Sequence, residues 1–119
     1  MQITVGSIDG EIVVINLVGD LVAATAEELK RQVSKLIQKN FNHIIVEMGS
    51  VNFMDSSGLG ACMAIHKMVQ EHKGMIIYVK PNDTVAKVFR ITRADKKLSL
   101  LASKGEAQQI LTANMMNGG

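Results

Sequence analysis

Short strand-like runs alternate with segments of helical spacing along this chain, and that alternation limits its fold more than any other feature. The runs EIVVINLV, HIIVEM and MIIYV are rich in Val and Ile and only a few residues long. Between the first two, Ala26, Leu29, Val33, Leu36 and Ile37 recur with the period of one helix face, and Thr25 followed by Glu28 has the form of a capping box. Between the second and third, Leu59, Cys62, Met63, His66 and Val69 mark one side of another helix, expected to stop near Gly74. Strand-helix-strand units of this kind pair their strands in parallel through right-handed crossovers.

The remaining elements follow from the same patterns. QITVGS at 2–7 alternates polar and apolar residues, and Asp9-Gly10 predicts a hairpin into the next strand. There Val13, Ile15 and Leu17 face one way and Ile12, Val14 and Val18 the other with Asn16, which predicts a central strand buried on both faces. The first helix runs about four turns to near Asn40. In the strand after it, Ile44, Val46 and Met48 oppose Ile45. Lys80-Pro81-Asn82-Asp83 is a turn, Val85, Val88 and Phe89 mark a short third helix, and Leu98, Leu100 and Leu101 an edge strand. A last helix is expected from about Gly105, anchored by Ile110 and Leu111, with NMMNGG frayed at the end. The expected fold class is α/β: a mixed sheet of four to five strands with helices packed mainly on one face, in the order β-β-α-β-α-β-α-β-α.

A length of 119 residues supports one hydrophobic core and not two, so residues 1–119 read as a single domain. Thirteen Lys and Arg against eleven Asp and Glu leave a net charge of +2, too mild a balance to argue for nucleic acid or a membrane surface. Lys87, Arg90, Arg93, Lys96 and Lys97 form a local basic stretch that reads first as a solvated face. Three Phe, one Tyr and no Trp leave few rings for stacking on bases, so no direct nucleic-acid contact is expected. The apolar runs fall far short of the roughly 20 residues a membrane helix needs. Cys62 is the only cysteine, no export signal is evident, and a cytoplasmic location is expected. His43, His66 and His72 lack metal-ligand spacing, so no metal site is assigned. Cys62 and the methionines read as adaptable packing, whereas exposure of Met54 would mark a binding surface.

One segment stands apart. VNFMDSSGLGA, at 51–61, gathers small polar residues where an apolar strand gives way to a helix. Ser56 and Ser57 fall near the unpaired N–H groups of that helix, a favourable place for a phosphate, while the Asp55 carboxylate would repel one. Gly58 and Gly60 keep the surroundings uncrowded enough for another protein to approach. The same residues also describe an ordinary helix cap. No catalytic residue is assigned: the serines lack a G-x-S-x-G elbow and evident Asp and His partners, and the glycines lack the Lys-Ser/Thr ending of a phosphate-binding loop.

Gly19 after the second strand, the helix opening TAEELK at 25–30, the IIVEM strand and above all FMDSSGLG at 53–60 give the chain a further meaning. In these it resembles the anti-sigma factor antagonist family, the small bacterial STAS-domain proteins that regulate transcription by partner switching. The resemblance covers nearly the whole chain and implies the STAS fold. It implies that Ser56 is the phosphorylation site, with Ser57 its structural neighbour, and that Asp20, Thr25, Met54, Asp55, Ser56, Ser57, Gly58, Leu59 and Gly60 contribute to partner binding. By the same resemblance, the unphosphorylated form binds an anti-sigma factor or related GHKL-type serine kinase and releases that kinase's client. Phosphorylation then ends binding, and a PP2C-like phosphatase restores it. The chain is thus substrate and ligand, not an enzyme; ATP and Mg²⁺ belong to the kinase, and no cofactor is assigned. The alternative is a phosphorylation-independent STAS scaffold or a small-ligand-binding signalling module. Two positions depart from the family pattern: Val22 stands where many members carry Asp, and the region Ile91-Thr92-Arg93-Ala94 lacks an expected glycine-leucine pair.

Overall fold

The computed structural model describes residues 1–8 and 10–117; Asp9, half of the expected Asp9-Gly10 turn, and the terminal Gly118 and Gly119 lie outside the described residues. In chain order the elements are β1 (Gln2–Ile8), β2 (Ile12–Leu21), α1 (Ala23–Gln38), β3 (His43–Met54), α2 (Ser56–Glu71), β4 (Met75–Val79), α3 (Asp83–Ile91), a 3₁₀ turn (Ala94–Lys96), β5 (Ser99–Leu101) and α4 (Lys104–Met116). The five strands lie in the order β1-β2-β3-β4-β5. β1 pairs antiparallel with β2, and every later neighbour is parallel, as strands separated by helices must be when they follow one another across a sheet.

Strand alternation divides the core in two. Val13, Ile15, Leu17, Ile44, Val46 and Met48 pack under α1, α2 and α3, meeting Leu29, Val33, Cys62, Ile65, Val69, Val85 and Phe89. On the opposite face Ile12, Val14, Ile45, Ile77 and Val79 meet Ala107 and Leu111 of α4 alone. Three helices on one face and one on the other fits the expected fold class. Each aliphatic side chain so buried is worth about 1.5–3 kcal/mol relative to exposure. The Tyr78 hydroxyl, deep in the first layer, donates to the Cys62 carbonyl at 3.0 Å and so ties β4 to α2.

Several local expectations are corrected. The buried stripe of α2 is Gly58, Ala61, Cys62, Ile65 and Val69, while Leu59, Met63 and His66 sit at its half-exposed margin. α2 ends at Glu71, two residues before a left-handed residue, but Lys73 (φ 60°) takes that conformation, not Gly74. Gly74 is needed for space: a Cβ there would lie 2.7 Å from the Cβ of Asn42. α4 begins at Lys104 behind Ser103, whose hydroxyl accepts from the Glu106 N–H at 3.2 Å, and its anchors are Ala107 and Leu111; Ile110 is 42% exposed. Asn114 to Met116 are helical, not frayed, and the Asn114 side chain pairs with His43 at 2.8 Å. Val18 is 46% exposed because α4 does not extend over the end of β2.

Candidate functional site

The carboxyl ends of β2 and β3 converge where the first two helices begin. Leu21 pairs with Met54 and Asp20 with Phe53, which brings the β2–α1 and β3–α2 turns side by side. Asp55 knits them together. Its backbone N–H donates to the Leu21 carbonyl at 3.3 Å, its Oδ1 accepts from the Gly58 N–H at 3.0 Å, and its carbonyl accepts from the Leu59 N–H at 3.0 Å. Asp55 is therefore the N-cap of α2, as expected for a short acceptor side chain before a helix.

Gly58 is buried, not open. A Cβ at that position would lie 2.8 Å from Met54 Cγ and 3.0 Å from Leu21 Cγ, and nearer still to the Leu21 carbonyl oxygen. The glycine lets the first turn of α2 rest directly on the backbone of β2, so its role is close packing and not access for a partner. Gly60, by contrast, faces open space.

Ser56 and Ser57 are exposed at the first two positions of α2. Their backbone N–H groups find no acceptor among the described residues, since Asp55 satisfies only those of Gly58 and Leu59. Asp55 and Leu59 are half-buried beside them, and Asp20 is exposed at the end of β2. Met54 is only 2% exposed and belongs to the core, which corrects its place among the surface contacts. Phe53 takes that place at 49% exposure. The reason is a bulge: β3 advances from Val51, opposite Gly19, to Phe53, opposite Asp20, and the unpaired Asn52 reverses the alternation.

Thr25 also holds a different position from the one expected. α1 starts at Ala23 with Val22 as N-cap, so Thr25 is the third helical residue, and Glu28 pairs with Arg31 and Gln32 instead of closing a capping box. The half-buried Thr25 hydroxyl accepts from the Val22 N–H at 2.9 Å and donates to the Asp20 carbonyl at 2.8 Å. Val22 offers no side-chain acceptor, so the Thr25 hydroxyl braces the Asp20 turn from the α1 side while Asp55 holds it from the α2 side. The second departure, near residue 93, has a backbone consequence: Arg93 sits left-handed at φ 62°, a conformation glycine adopts more easily.

The charged neighbours are local pairs. Lys30 beside Glu27 holds its carboxyl below the usual range, and Arg31 does the same for Glu28. Burial pushes the Cys62 thiol up to about 12. No group of potential metal-binding side chains occurs among the described residues, and no described helix is long and apolar enough to cross a membrane.

Residues 5–107 match the STAS domain. The chain belongs to the STAS domain family. Within the family it is similar to the anti-sigma F factor antagonist of Lysinibacillus sphaericus, at 32% identity over 69% of this chain and 71% of that protein. Its fold is similar to that of the anti-sigma factor antagonist SpoIIAA in its unphosphorylated form, with a TM-score of 0.81 and 26% identity over 94% of this chain and 97% of that one. The Bacillus cell fate determinant SpoIIAA in its phosphorylated form gives a TM-score of 0.72 at 27% identity, covering 91% of this chain and 97% of that one. STAS relatives named as anti-sigma factor antagonists are thus similar to this chain in both sequence and fold.

Proposed function

We propose that this chain is an anti-sigma factor antagonist that binds its partner through the β2–α1 and β3–α2 turns and loses that binding when Ser56 is phosphorylated. The observation that carries the reading is the placement of Ser56: exposed, at the first position of α2, and on a turn bonded to the end of β2. A protein kinase reaches such a hydroxyl without unfolding anything. The docking surface comprises Asp20, Asp55, Ser56, Ser57, Leu59 and Gly60, with Thr25 and Gly58 holding it in shape from beneath.

Phosphorylation adds about 1.5–2 negative charges and three acceptor oxygens. The amides of Ser56 and Ser57 and the positive end of α2 stabilise those oxygens on the modified protein itself. A partner already facing Asp55 and Asp20 then meets a third, larger anionic group that it must desolvate. The phosphate finds donors on the free protein, a gain offset in part by the neighbouring Asp55 carboxylate, and it is costly at an interface. The chain is a binding protein and a kinase substrate in this cycle, the kinase being the anti-sigma factor of GHKL type and a PP2C-like phosphatase reversing the step.

The test is incubation with a candidate GHKL-type kinase and Mg²⁺-ATP, localisation of the phosphoryl group by tandem mass spectrometry, and binding measured before and after. Modification at Ser56, with Ser56→Ala retaining binding but escaping modification and Ser56→Asp binding more weakly, is expected. Strong phosphorylation of Ser56→Ala at Ser57 would overturn the assignment.

A further inference from the structure

The two edges of the sheet are built differently. β5 is three residues long and emerges from a turn carrying Arg93, Asp95, Lys96 and Lys97, the short, charged form that discourages further pairing. β1, QITVGSI, runs for seven residues without a charge or a proline, and it pairs with β2 over seven consecutive positions without a bulge. Most of it is exposed, Val5 at 43%. Nothing in the strand itself blocks the addition of another.

The direction of its free groups follows from the hairpin. The Ile8 carbonyl accepts from the Glu11 N–H at 3.3 Å and so faces β2. In an antiparallel ladder the inward groups alternate, which assigns those of Ile8, Gly6, Thr4 and Gln2 to β2 and turns the N–H and C=O of Ser7, Val5 and Ile3 away from it. This free edge is symmetric about Val5. We propose that β1 pairs antiparallel with β1 of a second copy of this chain, forming a two-fold dimer with one continuous sheet.

A two-fold axis at Val5 sets Val5 against its symmetry mate and Ile3 against Ser7, closing about six backbone hydrogen bonds. The side chains of Ile3, Val5 and Ser7 share the face of their β2 partners Leu17, Ile15 and Val13, so the two Val5 side chains cover each other beside the main core. The strand bears no charge, so two copies meet there without repulsion between like groups. Ser56 follows β3, two strands in from this edge, and is not part of the contact.

Sedimentation equilibrium of the full chain from about 10 μM to about 1 mM tests the pairing. The expected result is a mass rising from 12.9 kDa toward twice that value. Val5→Lys, which places two like charges directly opposite each other, should remain monomeric, while Val5→Thr, also β-branched, should still dimerise; circular dichroism confirms that both variants fold. Hydrogen exchange supplies an independent readout. The amides of Ile3, Val5 and Ser7 should gain protection as concentration rises, while those of Thr4 and Gly6 stay protected throughout. A monomer across the whole range, a dimer that survives Val5→Lys, or exchange at Ile3, Val5 and Ser7 that ignores concentration would each overturn the proposal.

Discussion

Two glycines on the first turns of α2 give the sharpest test of how that helix is seated. Replacing either with alanine favours an exposed helix by up to about 1 kcal/mol, so propensity alone predicts stabilisation at both. The surroundings predict opposite signs. At Gly60 the new methyl enters open space and the full gain is expected. At Gly58 it falls 2.8 Å from Met54 Cγ and 3.0 Å from Leu21 Cγ, and closer still to the Leu21 carbonyl. Met54 can turn aside, but the Leu21 carbonyl is β2 backbone already held by the Asp55 N–H at 3.3 Å. α2 must lift by roughly 1 Å, and overpacking of this kind costs about 3 kcal/mol at the upper end of its usual range. Set against the propensity gain, Gly58→Ala should lose about 2 kcal/mol and Gly60→Ala gain about 1. Urea unfolding followed by circular dichroism measures both, with an unchanged slope showing that the unfolded state is the same. If Gly58→Ala lies within about 0.5 kcal/mol of the wild type, or both variants move together, α2 does not rest on β2 as described.

Thr25→Val keeps the shape of the side chain but deprives the Val22 N–H of its acceptor, so a loss of about 1 kcal/mol in urea is expected, with Thr25→Ser losing less. Tyr78→Phe removes a buried hydrogen bond to the Cys62 carbonyl and should lower stability by about 1 kcal/mol in thermal unfolding. Cys62 makes stability fall at alkaline pH. Its thiol titrates near 12 when folded against a reference of 9.0, so the unfolded chain releases a proton that the folded chain keeps. The contribution is intact below pH 9 and erodes as pH rises toward 12, by up to about 1.4 kcal/mol per pH unit. Tyr78, also pushed upward by burial, steepens the loss above pH 10. Cys62→Ala should flatten the pH dependence of urea stability between 9 and 10, and an unchanged slope would contradict the burial of the thiol.

The strands were legible because burial on two faces leaves few polar interruptions, and the helices because Leu29, Val33 and Ile37 recur on one side of α1. Helix ends and strand irregularities were less legible, since they depend on backbone geometry that composition does not carry. Thr25 followed by Glu28 satisfies the pattern of a capping box, yet the chain enters the helix earlier and uses Thr25 from inside. Met54 and Phe53 exchange exposure because one unpaired residue, Asn52, shifts the pleat; simple alternation from Val51 would bury Phe53. At Gly58 the motif showed that a small residue was present, but only the proximity of Leu21, distant in sequence, shows why. The capping aspartate and the two exposed serines were readable from sequence because a helix start imposes its own local chemistry.

The bond from Asp55 to Leu21 and the bare contact at Gly58 mean that neither turn can rearrange while the other stays still. A partner docking on the proposed surface therefore has no loop to order before it can bind. Association becomes a rigid-body encounter limited by diffusion and orientation, with a rate constant in the ordinary range of about 10⁵–10⁷ M⁻¹s⁻¹ and a single kinetic phase. The lifetime of the complex is then left to contacts made after encounter, so on the proposed function phosphorylation of Ser56 should act chiefly on how long the partner stays.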